Sequence, residues 1–560
     1  MTPSELKKLG WKELDVILVT GDAYVDHPSF GVAVIARVLQ AEGFRVGIIS
    51  QPDWRSLDDI TMLGRPRLFF GVTAGNVDSM VANYTASKKK RKIDAFTPGG
   101  HGGKRPDRAT IVYSNLIRRA FKDTIIILGG IEASLRRFAH YDWWSNRVRK
   151  SVLVDSKADI IVYGMAEKSI VKVAKSISET GQINTEISGI MYWSSKKPSE
   201  GIEIPSFEDI SNDKMAYIRA FKQLYTETDP IRGRKVYQKQ DTRYVIQNPP
   251  ELISRNELDK IYSLPYSREV HPYCLKKGHV KAIETVKYSI TTHRGCYGEC
   301  NFCSITLHQS RYVVSRSIES ILNEVKHISK QKGFKGTITD VGGPTANMYG
   351  FECSIKFKKG ACKDKRCLFP TPCPALKVNH SIYLKLLKKI REIDGIKHVF
   401  VSSGIRYDLI IADKEYGAIF LKELIDHHIS GQLKIAPEHV SPEVLRLMGK
   451  PEKGILDKFI DLFKSQLKGR KLYLIGYFIA AHPGCRENHM IELKKYVKSK
   501  MGYTPQQVQI FTPTPSTFST AMYYAERDPI TGKDIFVEKS EKGRLRQKER
   551  LLRKPQKQRN

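Results

Sequence analysis

Short apolar runs and stretches of helical periodicity alternate twice along this chain, and that alternation restricts it to folds built on parallel sheet. In the first pass, Val16–Val19, Val46–Ile49, Leu68–Val72, Ile125–Leu128 and Ile160–Tyr163 read as buried strands. Between them Val32, Ile35, Ala36 and Leu39 recur at helical spacing. This predicts a doubly wound α/β domain over residues 1–175, whose ligands would sit at the carboxyl ends of its strands. Glycine loops fall there, Gly129-Gly130-Ile131-Glu132 and Gly164-Met165-Ala166-Glu167. In the second pass, Tyr288–Thr292, Gly336–Val341, His398–Ser402, Gln432–Ala436, Lys471–Phe478 and Gln507–Phe511 are the strand candidates. Six strand-then-helix units predict a full or partial parallel (β/α) barrel over 282–528, with its chemistry at the carboxyl ends of the strands. Ser317 is the expected N-cap of a helix carrying Ile318, Ile321, Leu322, Val325 and Ile328.

Between the two passes, residues 176–281 are rich in proline, glycine and charge, and read as a connecting region with helix near Asp213–Tyr225 and Arg255–Tyr262. Residues 529–560 read as a basic tail, unstructured or RNA-binding. Lysine and arginine number 93 against 59 acids, a formal charge of +34, which predicts attraction to polyanions such as RNA and says nothing of fold. The run Lys88–Lys92 reads as a solvated surface loop, with an RNA contact or targeting signal as the alternative. No apolar run approaches the length of about 20 residues needed to span a bilayer, and the N-terminus lacks the apolar core of a secretory signal. A cytoplasmic location away from membranes is the expectation.

The nine cysteines are clustered, seven of them between Cys296 and Cys373. In a reducing compartment such clustering points to metal or redox chemistry, not disulfides. The segment RGCYGECNFC places Cys296, Cys300 and Cys303 on one loop directly after a predicted barrel strand. Three close thiolates can hold three corners of a 4Fe–4S cube and leave the fourth iron open. Gly295 and Gly298 would let the backbone wrap it. A structural zinc site is the alternative, and needs a fourth ligand such as His293 or His308.

The Cys-x₃-Cys-x₂-Cys pattern, with Phe302 before the last cysteine, resembles the signature of radical SAM enzymes. More of the chain resembles the YgiQ-like radical SAM proteins: GDAYVDHPSFGVAVIARVL, GGIEASLRRFAHYDWW, LPYSREVHP, DVGGPTANMYG, SSGIRYD, APEH, AAHPGC and FTPTPSTFSTAMYY. The departures are Glu299 and Asn301 between the cysteines, and Ser310 where that family has glycine. The resemblance implies a 4Fe–4S cluster on Cys296, Cys300 and Cys303. It also implies S-adenosylmethionine on the open iron, and reductive cleavage of that cofactor to a 5′-deoxyadenosyl radical. An external electron donor of flavodoxin or ferredoxin type follows, because such clusters need about −400 mV or lower. The resemblance places Gly342 and Gly343 against the methionyl amino group, and Phe302, Ser403 and Arg406 among the cofactor contacts. Arg406 as a buried ion-pair residue explains it equally well. Glu438, His439 and His482 end strands and are candidates to line a substrate pocket.

A second group, Cys353, Cys362, Cys367 and Cys373 within the insertion 350–375, reads as a second metal site, zinc or an auxiliary iron–sulfur cluster, or as unligated thiols. Cys274 and Cys485 are isolated and read as small buried hydrophobes. The first domain resembles cobalamin-binding modules, but His27 lacks the Asp-x-His-x₂-Gly spacing of a lower cobalt ligand, which argues against cobalamin. The +34 charge favours RNA as substrate. The alternative from another class is a non-catalytic iron–sulfur or zinc RNA-binding protein.

Overall fold

The computed structural model describes residues 1–552 of the 560. It divides into two compact units: Met1–Tyr288 with Leu307–Gln309, and Ser289–Thr306 with the chain from Ser310 onward. The boundary at 288–289 lies seven residues beyond the expected 281–282.

In the first unit, β1 (Val16–Thr20), β2 (Val46–Ser50), β3 (Phe69–Thr73), β4 (Ile125–Leu128) and β5 (Ile160–Val162) pair in parallel in the order β2-β1-β3-β4-β5. Every residue of β1 is buried, as expected of a parallel strand covered on both faces. Val16, Leu18, Leu39, Phe69, Val173 and Ile190 belong to one apolar core. The sheet then continues where a connecting region was expected. β6 (Ile190–Ser194), β7 (Ile202–Ile204), β8 (Val236–Gln240) and β9 (Arg243–Gln247) extend it in the order β6-β9-β8-β7, mostly antiparallel. Buried amides hid these strands in the sequence. Gln238, Gln240 and Gln247 look polar, yet each is enclosed, with Gln240 Nε2 donating to Gln238 Oε1 at 2.9 Å and Arg137 Nε donating to Gln247 Oε1 at 2.6 Å. The helices expected within this stretch are present as Lys214–Glu227 and Arg255–Tyr262.

The amino ends of β1, β2 and β3 are tied by one carboxylate. Asp15 accepts from Arg45 N at 2.7 Å, from Arg45 Nη2 at 3.0 Å and from Arg67 Nε at 2.8 Å. Burial alone would raise this carboxyl, but these donors outweigh it and hold it down to about 2. Its contribution to stability is therefore complete above the unfolded value near pH 4 and is lost as pH falls through about 2. In melting curves taken against pH, Asp15→Asn is expected to lie below wild type by a constant margin above pH ~4. The two should converge toward pH ~2.

In the second unit, β10 (Ser289–Thr291), β11 (Thr337–Ile338, resuming as Asp340–Gly342), β12 (His398–Val399), β13 (Gln432–Glu438), β14 (Tyr473–Ala480) and β15 (Gln509–Ile510) are consecutive and parallel. A parallel bridge between Ile405 and Ile435 joins the third and fourth. Among the described residues no pairing closes β15 onto β10, so this is a partial barrel. Ser317 caps the helix Ile318–Ser329 as expected, accepting from Ser320 N.

The basic C-terminal stretch also departs from expectation. Glu541–Leu551 is a helix with Gly543, Arg544, Gln547 and Leu551 buried along one face. Gln547 Oε1 accepts from Ala481 N at 2.9 Å, its Nε2 donates to Cys485 O at 3.0 Å, and Arg544 Nη2 donates to Phe511 O at 3.1 Å. Polar side chains thus cover the loops that end β14 and β15, which apolar periodicity could not reveal. The last part of the expected tail, 553–560, lies outside the described residues. No helix among the described residues is long and apolar enough to cross a membrane.

Candidate functional site

Cys296, Cys300 and Cys303 lie on the loop after β10 and the short strand His293–Arg294. The loop turns through left-handed backbone at Gly295 (φ 86°) and Glu299 (φ 45°). Gly298 N–H points at Cys296 Sγ from 3.4 Å. A Cβ at Gly298 would stand 3.1 Å from Arg406 Nη1 and 3.2 Å from Cys296 Sγ, so a side chain there would press on both groups. All three thiols are half-buried. Burial pushes the Cys303 thiol up to about 12, with the charges of Cys300 and Cys296 adding to it, and burial with Cys300 raises Cys296 likewise. The three sulfurs therefore share one electrostatic neighbourhood, and ligation there would displace protons. No zinc site with His293 or His308 is supported: His293 is buried with its ring against Gly343, and among the described residues no three His, Cys, Asp or Glu side chains converge on a single metal ion. Soft thiols alone on a wrapped loop fit an iron–sulfur cluster.

Arg406, at the carboxyl side of the third strand, is where the ion-pair reading and the site reading meet. Its Nε donates to Asp408 Oδ1 at 2.8 Å and its Nη2 to Oδ2 at 2.5 Å, while Nη1 stands 3.6 Å from Cys300 Sγ. Arg406 backbone is clamped by Asn347, whose Oδ1 accepts from Arg406 N at 2.9 Å and whose Nδ2 donates to Arg406 O at 3.0 Å. Asn347 also meets His380 Nε2 at 3.2 Å, and His380 Nδ1 meets Asp413 Oδ2 at 2.7 Å. These residues are scattered over the sequence, and only DVGGPTANMYG hinted at Asn347.

Gly342 and Gly343 end β11 as expected, and packing requires both. A Cβ at Gly343 would lie 2.6 Å from the His293 ring, and one at Gly342 would lie 2.7 Å from Ser403 Oγ. Both serines after β12 are engaged within the chain: Ser402 Oγ donates to Thr339 O at 2.8 Å, and Ser403 Oγ donates to Asp340 Oδ2. Glu438 and Ala481 sit at the ends of β13 and β14 with φ of 66° and 57°, left-handed conformations that cost non-glycine residues energy and gather at functional sites. Burial raises the Glu438 carboxyl, opposed by Lys450 and Arg406. His482 is buried with Nε2 against Ser519 Oγ at 2.6 Å, and Phe302 meets its ring edge-on at 6.2 Å. His439 is buried with its Nε2 3.7 Å from Cys485 Sγ. Asn301 anchors the cysteine loop, its N donating to Met448 O at 2.9 Å, its Nδ2 to Leu447 O at 2.8 Å, and its Oδ1 accepting from Arg366 Nη1 at 2.6 Å.

Comparison with known proteins gives the family and the fold. Residues 1–289 match the radical SAM N-terminal family, 290–497 the radical SAM superfamily, and 506–555 a domain of unknown function. A UPF0313 protein of Thermotoga neapolitana is 58% identical over 558 residues, 98% of each chain. One of Fusobacterium nucleatum is 51% identical over 554 residues, covering 98% of this chain and 97% of its own. The chain belongs to the UPF0313 family of radical SAM proteins. Two solved structures share the fold. The radical S-adenosylmethionine methyltransferase TsrM of Kitasatospora setae, solved with cobalamin and a 4Fe–4S cluster, is 14% identical with a TM-score of 0.51, covering 90% of this chain and 74% of that one. The cobalamin-dependent S-adenosylmethionine radical enzyme OxsB is 12% identical with a TM-score of 0.50, covering 93% and 56%.

In this radical SAM enzyme no observation supports a second metal on Cys353, Cys362, Cys367 and Cys373. Cys362 is exposed, while Cys353 and Cys367 lie half-buried against the apolar cluster that holds Tyr297 and Met348. Among the described residues no three His, Cys, Asp or Glu side chains converge on a single metal ion, Cys296, Cys300 and Cys303 included, as fits sulfurs that would each hold a different iron. The insertion instead braces the cysteine loop, Arg366 Nη1 donating to Glu299 O at 2.9 Å. Cys274 and Cys485 are buried. Ser310, the departure from glycine, holds φ 81° and ψ 158°, a region glycine occupies freely and other residues occupy at a cost of about 1–3 kcal/mol. Ser310→Gly is expected to stabilise the protein by about 1 kcal/mol after the added unfolded-state entropy, visible as a higher melting temperature.

Proposed function

We propose that Cys296, Cys300 and Cys303 hold the 4Fe–4S cluster of this radical SAM enzyme and that it modifies RNA. The observation that carries the first half is the wrapped three-thiol loop with Arg406 Nη1 3.6 Å from Cys300 Sγ. When bound, the cluster supplies one electron to S-adenosylmethionine, giving methionine and a 5′-deoxyadenosyl radical. The chain's part is to orient and enclose. Gly298 N–H and Arg406 direct hydrogen bonds at sulfur, Asp408 holds Arg406 charged, and Thr292, donating to Gly342 O from its N at 2.7 Å and its Oγ1 at 3.1 Å, fixes the Gly342-Gly343 strand end beside the loop. Electrons come from an external donor of flavodoxin or ferredoxin type.

RNA rests on charge and surface. The chain carries +34, and its cysteine insertion exposes Lys358, Lys359, Lys363 and Lys365 beside Ile355 (51% exposed) and Phe357 (38%). Cations track phosphates while an exposed ring can stack on a base. No feature of the site favours the non-catalytic alternative.

The test is anaerobic reconstitution with iron and sulfide, then dithionite and S-adenosylmethionine, with 5′-deoxyadenosine and methionine read by mass spectrometry. Deoxyadenosine in proportion to bound cluster is expected; a full cluster that never yields it, with any RNA present, would refute the reading. RNA binding should weaken steeply as salt rises. Affinity independent of salt would rule out the RNA half alone.

A further inference from the structure

Both fold neighbours were solved with cobalamin, and this chain carries the same kind of sheet. A sheet ordered β2-β1-β3-β4-β5 takes its ligand at the switch point, outside the carboxyl ends of β1 and β3. We infer that here this crevice is filled by the chain's own residues 93–105, so that the N-terminal unit works without cobalamin.

The occupant is built around Arg105. Its fully buried guanidinium pairs with Asp22, the second residue after β1, and reaches Asp94 at 3.3 Å, while its Nε donates to Gly21 O at 3.1 Å. Gln51 Nε2, at the end of β2, donates to Gly21 O at 3.1 Å and to Thr97 Oγ1 at 2.8 Å. Ala23 N donates to Phe96 O at 2.9 Å, and the Phe96 ring lies edge-on to Phe30 at 6.1 Å. On the β3 side Asn76 N donates to Asp22 Oδ2 at 2.7 Å. The loops after β1 and β3 pack closely on each other. A Cβ at Gly75 would lie 2.2 Å from the Asp22 carboxylate, and one at Gly21 would lie 2.3 Å from Ala74 O.

The neighbouring strand ends are sealed as well. Glu132, in the glycine loop after β4, accepts from Ser79 N at 2.8 Å and from Thr110 N at 3.1 Å and Oγ1 at 2.7 Å. After β5, Gly164 N donates to Ser134 Oγ at 3.1 Å. His27 cannot offer a nitrogen to cobalt: it is fully buried, Nδ1 accepts from Ser29 N at 3.0 Å, and Nε2 faces Arg268 Nη1 at 2.8 Å. The plug is itself held from outside, Gly99 N donating to His279 O at 2.8 Å and Ala282 N to Ala95 O at 3.0 Å. Crevice, glycine loops and histidine each exclude the corrin independently of the cluster ligands.

The experiment uses the full-length, cluster-reconstituted protein with excess aquacobalamin, separated by gel filtration and read by corrin absorbance against iron content. Hydrogen exchange is followed in parallel. The expected result is no corrin retained. The amides of Ala23, Asp94, Thr97 and Gly100, all bonded within this unit, should exchange slowly and at the same rate with and without corrin. One corrin per chain, lost in His27→Ala, would overturn the inference. So would fast exchange over 94–100 that slows when corrin is added, since the plug would then be a movable lid.

Discussion

Alanine at Cys300 is expected to remove the 4Fe–4S cluster and reduce 5′-deoxyadenosine formation by on the order of 10³-fold or more, while leaving the fold in place. In a cube held by three thiolates each sulfur binds a different iron, so no neighbour can take over a lost position. The fold should tolerate the change because Cys300 is half-buried and the loop is anchored elsewhere. Cys296 N donates to Ser310 O at 3.1 Å, and Asn301 binds Leu447, Met448 and Arg366. Iron and acid-labile sulfide per chain, with the melting temperature of the apoprotein, decide the matter. A Cys300→Ala protein that retains wild-type iron would show that the ligands lie elsewhere. Cys353→Ala and Cys362→Ala are the contrast: both lie outside the wrapped loop, and both should keep full iron.

Arg406→Met should act on stability and on redox potential at once. Asp408 is almost fully buried, and removing its partner leaves a charge without compensation, a loss of about 3–5 kcal/mol. The same change withdraws the N–H directed at Cys300 Sγ, and a cluster that loses a hydrogen bond to sulfur becomes harder to reduce. A fall of the order of 50 mV is expected, a little over 1 kcal/mol for a one-electron couple. The double variant Arg406→Met/Asp408→Leu separates the effects. It should recover much of the stability, since no charge is stranded, and none of the potential. Calorimetry reads the first quantity and a redox titration followed by electron paramagnetic resonance the second. If the double variant regains the wild-type potential, Arg406 does not tune the cluster.

The five parallel strands of the first unit and the six of the second were legible because each is a short apolar run between helical stretches. Periodicity survives in one dimension when the element is buried by ordinary hydrophobic contact. The extension β6 to β9 escaped because its interior carries Gln238, Gln240 and Gln247, amides buried by pairing with each other and with Arg137. The C-terminal helix escaped for a related reason. Its inner face binds loop carbonyls and amides through Arg544 and Gln547, so polar residues stand where an apolar stripe would be sought.

At the candidate site, the spacing of Cys296, Cys300 and Cys303 could be read directly, because ligands on one loop are neighbours in sequence and their number and softness limit the metal chemistry. By itself the sequence determined the two α/β units and the thiol loop. Which distant residues meet was decided only by the tertiary structure. Asn347, His380 and Asp413 behind Arg406, and Arg105 between Asp22 and Asp94, are single polar residues with no shared motif. Nothing local marks such partners. A charge becomes costly to leave unpaired only when folding takes it out of water, and only the folded chain says which charge it meets there.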